Sequence, residues 1–358
     1  MSVERHKLYG LQAGRGIAAM LVVLHHAANH LKQEFGFLPM EGVFHFGRSG
    51  VDFFFVLSGF IIFFVHAKDL GRPARLGHYL LKRFTRIYPI YWLALLVLLT
   101  MKIMLGKDYS ISDFLLETTL LPITEIKTLG VAWTLRFEII FYGLFALAIM
   151  SLRLGAFLLF SWILAIILNS VSLISAAGND FLNLLLSAWN IEFILGMLAA
   201  YYLSTYKLPK PAIILLLAVI GFMGTGILEN MDILDGTQSI ARLPYGIFSM
   251  LILMGLVEYE RSEGLKIPNF FILIGEASYS IYLMHLFFIG IVYKVISVAG
   301  GLKIMPVWSI YIILFIAAIL GGTLFSILAE KPSIQATRNI AVAFKRLWAK
   351  QFRLRPDV

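Results

Sequence analysis

Apolar stretches of about 20 residues recur along nearly the whole chain, and no other feature limits its fold as strongly. That length is what a helix needs to cross the hydrocarbon of a bilayer. A helix also satisfies its backbone polar groups internally, which the absence of water there demands. Of the 358 residues, 59% are hydrophobic and 14% are charged, with a mean hydropathy of +0.85. Soluble domains carry nearer a quarter of charged residues. The pattern predicts an all-α, polytopic membrane protein of about ten transmembrane helices. They fall at residues 11–31, 43–66, 87–104, 130–150, 154–174, 181–204, 211–228, 240–257, 272–298 and 307–329. The expected organisation is one integral membrane domain, residues 1–335, followed by a basic amphipathic cytoplasmic tail, residues 336–358. Met1 to Gln12 lacks the charged, apolar and small-residue succession of a cleavable signal, so the first run is expected to stay as a span.

Lysine and arginine orient the spans. With the N-terminus in the cytoplasm, inner segments hold Arg5, Lys7 and Arg15, then Lys68, Arg72, Arg75, Lys82, Arg83 and Arg86, and finally the basic tail. The loop 229–235, on the opposite side, has only acidic charges. This positive-inside bias predicts two cytoplasmic termini and a multi-pass protein. The net charge of +9 then reads as attraction to anionic membrane lipids, and no nucleic acid is expected as a partner. The chain has no cysteine, which excludes disulfides, thiolate metal ligands and a cysteine nucleophile; no metal site is expected. Residues 73–85 and 340–354 mix basic and apolar side chains at helical spacing and read as amphipathic surface helices. Residues 112–121 read as a short outer-face helix.

An ionisable side chain inside a span costs at least about 2.5 kcal/mol, so each one is a functional candidate by default. Arg15 and His26 are eleven positions apart on the first span, about three turns, and point to a similar face. Their separation along the axis is roughly 16 Å. An arginine at an inner helix end is a snorkelling anchor or an anion ligand. A histidine in the outer half is a general base, an ion ligand, a proton relay or a hydrogen-bonded bundle residue. His25, about 100° around the helix, is an equal candidate at this point. On the second span, Arg48 and Asp52 are four apart and able to pair along one face. Ser58-Gly59 reads as a small-residue packing patch or as part of a cavity wall.

Arg83, Arg86, Tyr88, Pro89 and Tyr91 mark the inner entrance to the third span. They suit an anchoring belt or a phosphate site, since guanidinium groups grip phosphate bidentately. Glu138, in the fourth span, needs a partner, and a histidine or arginine on another helix is the natural one. Glu192 and His285 are further buried candidates, and Glu330-Lys331-Pro332 reads as a helix stop. Two depths result: an outer set of His25, His26, Arg48, Glu138 and His285, and an inner rim of Arg15, Arg83, Arg86 and Glu330.

Six pieces, in order from first span to last, carry a resemblance. They are Arg15 with ten residues before His26; Gly50-Val51-Asp52-Phe53-Phe54-Phe55-Val56-Leu57-Ser58-Gly59-Phe60; and Arg83-Phe84-Thr85-Arg86-Ile87-Tyr88-Pro89-Ile90-Tyr91. The others are Trp133-Thr134-Leu135-Arg136-Phe137-Glu138 with Tyr142; Ser278-Tyr279-Ser280-Ile281-Tyr282-Leu283-Met284-His285; and Glu330-Lys331-Pro332. Together they resemble the acyltransferase-3 family of membrane O-acyltransferases, which modify lipopolysaccharide O-antigens, exopolysaccharides and related glycans. Thr134 replaces the serine common in that family, and Arg136-Phe137 replaces small or apolar residues. This form resembles the exopolysaccharide-acetylase branch.

The resemblance implies transfer of an acyl group, acetyl above all, from cytoplasmic acyl-CoA to a hydroxyl of a surface or lipid-linked glycan. It selects His26 over His25 as general base or acyl carrier, with Glu138 orienting or charge-stabilising the imidazole and Arg48 or a backbone amide as an oxyanion donor. It implies that Arg15, Arg83, Arg86, Tyr88 and Ser58 hold acetyl-CoA, the acyl donor. The partners it implies are acyl-CoA, a carbohydrate acceptor and membrane lipids, and the location it implies is the cell inner membrane. The rival class is a proton-coupled secondary transporter of an organic anion, which would also bury His, Glu and Arg. Against it stands the lack of an inverted repeat. A third class, a scaffold in polysaccharide export, predicts that His26 and Glu138 are dispensable.

Overall fold

The computed structural model describes residues 8–36, 44–122, 126–176, 178–236, 239–337 and 339, and every regular element among them is helical. The helices are α1 (Tyr9–Phe35), α2 (Gly50–His66), α3 (Leu76–Met104), α4 (Ile111–Glu117), α5 (Trp133–Met150) and α6 (Leu152–Ser170). They continue as α7 (Asp180–Leu185), α8 (Trp189–Thr205), α9 (Pro211–Asn230), α10 (Ser239–Ser262), α11 (Asn269–Val298) and α12 (Val307–Phe325). Nine helical segments among the described residues are long and apolar enough to cross a membrane. The chain is therefore a multi-pass membrane protein.

The difference from ten spans is α1. It is 27 residues long, but Arg15, His25, His26, Asn29 and His30 lower its hydropathy. Those polar residues are tolerable because α1 is enclosed: α2, α10, α11 and α12 all pack against it. Its small residues let neighbours close in. A Cβ on Gly275 of α11 would collide with the Gln12 carbonyl, and one on Gly16 would sit 3.1 Å from the Gly275 nitrogen. α2 and α8 use the same device: a Cβ on Gly59 would meet the Phe193 carbonyl, and one on Gly196 the Val56 carbonyl. By contrast α6 and α9 turn Phe157, Phe160, Leu216, Leu217 and Ile220 outward, the surface expected of helices against lipid.

Three expected boundaries shift. The interfacial helix at 73–85 and the third span form one helix, α3, which runs through Pro89. The short helix expected at 112–121 is α4. Glu330-Lys331-Pro332 is not a helix stop: a π-helical turn, Ser326–Glu330, follows α12, and helix continues over 331–337. A π turn leaves a backbone carbonyl out of the ordinary i→i+4 ladder, so it tolerates a nearby proline that lacks an N–H. The basic segment expected at 340–354 lies outside the described residues.

Candidate active site

α1, α2, α3, α5 and α11 enclose a cavity of about 780 Å³. One end is polar and basic, lined by Arg15, His78, Lys82, Arg83, Arg86 and Thr337. From there it follows α2 past Ile61, Ser58, Leu57, Phe55 and Phe54 to Val51, the rise of about ten helical residues, or roughly 15 Å. Thr134, Leu135, Glu138 and Tyr142 of α5 form one wall, and Ser278, Tyr279 and Tyr282 of α11 another. The α5 and α11 walls are joined where the Thr134 and Tyr282 hydroxyls stand 3.0 Å apart and the Tyr282 hydroxyl donates to the Val131 carbonyl.

The charges around the cavity are held unequally. Arg86 pairs with Glu330 at 3.3 Å and lies over the Tyr279 ring. Glu330 is buried and accepts from the Ser280 and Ser326 hydroxyls, so the π turn places this carboxylate against α3 and α11. Arg83 lies over the Tyr79 and Tyr142 rings, forms no ion pair among the described residues, and has a buried Nε without a hydrogen-bond partner. Arg15 donates to Gln12 one turn earlier. Glu138 accepts from the Tyr142 hydroxyl at 3.0 Å. Its partner is thus a tyrosine on its own helix, where a cation on another helix was expected.

His26 is not among the residues lining this cavity. It stands behind its deep end, with its ring centroid 4.9 Å from that of His285, which in turn is 6.0 Å from the Tyr282 ring. His25 and His45 extend the group outward, at 5.2 Å from His26 and 5.6 Å from His25 respectively. Glu138 therefore belongs with the arginines of the cavity, and the expected outer set divides.

Arg48 goes elsewhere again. It pairs with Glu229 of α9 at 2.7 Å, while Asp52 pairs with Arg242 of α10 at 2.8 Å, so the expected Arg48–Asp52 pair does not form. Arg242 also donates to the Gly236 carbonyl and lies over Trp189, and Tyr245 donates to Glu229. Glu192, fully buried, joins this cluster beside Asp52 and meets no histidine. Asp52 and Glu229 each find a cation on another element, because burial makes an unpaired charge costly. Tyr88 also leaves the site. Its hydroxyl donates to the Thr119 carbonyl, and its ring stacks on Phe84.

Of the residues expected to act together, the structure unites Arg15, Ser58, Arg83, Arg86 and Glu138 around one cavity. It leaves His26 outside the cavity lining, beside His285 behind the deep end, and moves Arg48 and Tyr88 away from it. Sequence reasoning missed Arg242, although an arginine three residues into an apolar run was a readable signal. It also missed Ser280 and Ser326 as the partners of Glu330; no local pattern shows that pairing.

A family model described as an acyltransferase domain matches residues 8–327. An exopolysaccharide production protein, ExoZ, from Rhizobium meliloti is 27% identical over 317 residues, which cover 82% of this chain and 92% of the relative. A shorter match, 39% identical over 82 residues, covers 23% of this chain and 38% of protein 2 in the picA locus of Rhizobium radiobacter. No solved structure matches the chain. With the family model spanning nearly all of the bundle that builds the cavity, this chain belongs to the acyltransferase-3 family and is a membrane acyltransferase.

Proposed function

We propose that the chain moves an acetyl group from cytoplasmic acetyl-CoA to a hydroxyl of a surface or lipid-linked glycan. The observation that carries this reading is the lining of the cavity: a basic mouth, a passage walled largely by apolar and aromatic side chains, and a histidine behind its far end. The orientation that fits has both termini and the Arg15, Lys82, Arg83 and Arg86 mouth on the cytoplasmic side of the inner membrane. Arg83 and Arg86 are suited to the phosphates of the donor, as planar guanidinium forks, and Arg15 adds a third charge. Ser58 and the aromatic walls suit the uncharged pantetheine arm. The name of the rhizobial relative supports a polysaccharide acceptor.

His26 takes the proton from the acceptor hydroxyl as that oxygen attacks the thioester carbonyl. The C–S bond breaks, and the proton passes from His26 to the departing thiolate. General-base assistance of this kind contributes about 10²–10⁴-fold. Glu138, held by Tyr142 in the passage, adds a negative field that favours an imidazolium. Arg48 is committed to Glu229, and the Thr134 and Tyr282 hydroxyls donate to the Val131 carbonyl, so none of the three is free to serve as the oxyanion donor in this arrangement.

The test is purified protein in proteoliposomes with radiolabelled acetyl-CoA and a polysaccharide acceptor. His26→Ala is expected to lower acetyl transfer at least 100-fold while the thermal midpoint is unchanged. Full transfer by that variant, or uptake of the label without loss of the thioester, overturns the reading.

A further inference from the structure

His285 sits on α11, fully buried, and the proposed mechanism gives it no task. Its Nδ1 faces two backbone carbonyls, Tyr282 at 2.7 Å and Ile281 at 3.2 Å. A carbonyl only accepts, so Nδ1 carries the hydrogen and, in the neutral ring, Nε2 is a bare lone pair. That Nε2 is buried and has no hydrogen-bond partner. A buried acceptor left in this state costs about 1–3 kcal/mol, which calls for an explanation.

The neighbouring ring is His26. An N–H···N bond of about 2.9 Å between two imidazoles puts their centroids about 5 Å apart; these two are 4.9 Å apart, tilted by 43°. His26 makes no hydrogen bond among the described residues, so a ring rotation closes the contact without breaking another. His25 does not compete as acceptor, since its Nε2 is engaged by the Asn29 amide nitrogen and its Nδ1 then carries the hydrogen.

We propose that His285 is a positioning residue: its Nε2 accepts the N–H of His26 and fixes the tautomer in which the other His26 nitrogen presents a lone pair to the reacting groups. The proton stays on His26 throughout. When His26 takes the acceptor proton it becomes an imidazolium with both nitrogens protonated, one bound to His285 and one free to protonate the thiolate. The carbonyl that orients His285 belongs to Tyr282, so the cavity wall and the base are registered to each other through one turn of α11.

This inference rests on His26 being the base, and the test separates the two. His285→Gln puts an amide oxygen near the position of Nε2; His285→Asn reproduces the Nδ1–H donor but leaves nothing at Nε2. In the same transfer assay, His285→Asn is expected to lower kcat about 100-fold with an unchanged KM for acetyl-CoA, and His285→Gln to recover to within about tenfold of wild type. A fully active His285→Asn, or a Gln variant as slow as Asn, overturns the role of His285. If His26→Ala is inactive in that experiment, His26 itself still stands. Nitrogen-15 spectra of histidine-labelled wild-type protein give a readout that needs no variant: a His285 ring protonated at Nε2 also overturns the proposal.

Discussion

Arg83 and Arg242 are both arginines set among aromatic rings inside the bundle, and they are held in opposite ways. Arg242 is 2% exposed, lies 4.8 Å from the Trp189 ring centroid, and spends its charge on Asp52 at 2.8 Å. Arg83 lies 5.6 Å from the Tyr142 centroid, pairs with no carboxylate among the described residues, and faces an open cavity. Elsewhere Arg48 pairs with Glu229 and Arg242 with Asp52, which ties α2, α9 and α10 together, with Glu192 beside Asp52. At the cavity, Arg86 is paired with Glu330 while Arg83 is left without a carboxylate among the described residues. Inside a low-dielectric bundle, a charge matched by a buried carboxylate is suited to fastening helices, and a charge without one beside a void is suited to meeting a ligand.

The strongest way to break this comparison is Arg242→Met. It leaves Asp52 buried without its cation, and removing one partner of such a pair costs about 3–5 kcal/mol. The expected outcome is a large fall in the thermal midpoint in detergent, while the KM for acetyl-CoA of the folded fraction stays at the wild-type value. A variant that melts normally but loses donor affinity would put the cluster in the donor site. Next in size, Glu138→Gln removes the carboxylate of the passage but keeps its hydrogen-bonding shape toward Tyr142. Transfer should fall about 10–100-fold in kcat, with little change in stability, as measured by initial rates and melting. Arg83→Leu should raise the KM for acetyl-CoA about tenfold, the size expected for one charge-assisted contact of roughly 1.5–3 kcal/mol. Its kcat and melting should hold, and the opposite pattern would make Arg83 a fastener. The smallest effect belongs to Tyr88→Phe, which deletes only the hydrogen bond to the Thr119 carbonyl. It should cost about 1 kcal/mol of stability and leave KM unchanged. A raised KM would return Tyr88 to the donor site.

The sequence alone carried the fold class and many of the residues that line the cavity. Hydrophobic run length determines that helices cross a membrane, because backbone satisfaction in hydrocarbon allows few alternatives. The cost of burying charge picks out Arg15, His26, Glu138 and Glu330 without any knowledge of their neighbours. The positive-inside bias groups Arg15, Arg83 and Arg86 at one end, and the family resemblance adds Ser58 to them; the structure lines one cavity with all four.

What the sequence did not determine was pairing. Arg48 and Asp52 are neighbours at helical spacing, yet each is claimed by a residue about 180 positions away, Glu229 and Arg242. Glu138 takes a tyrosine one turn along, and Glu330 reaches two serines and Arg86 because a π turn swings it inward. Local periodicity tells which face a side chain occupies; only the packing of helices decides which charges meet there, since the cost of an unpaired buried charge exceeds the gain from any one spacing preference. The same division applies to the histidines. Helix periodicity left His25 and His26 as equals, and the packing of α1 against α11 sets the His285 ring 4.9 Å from that of His26.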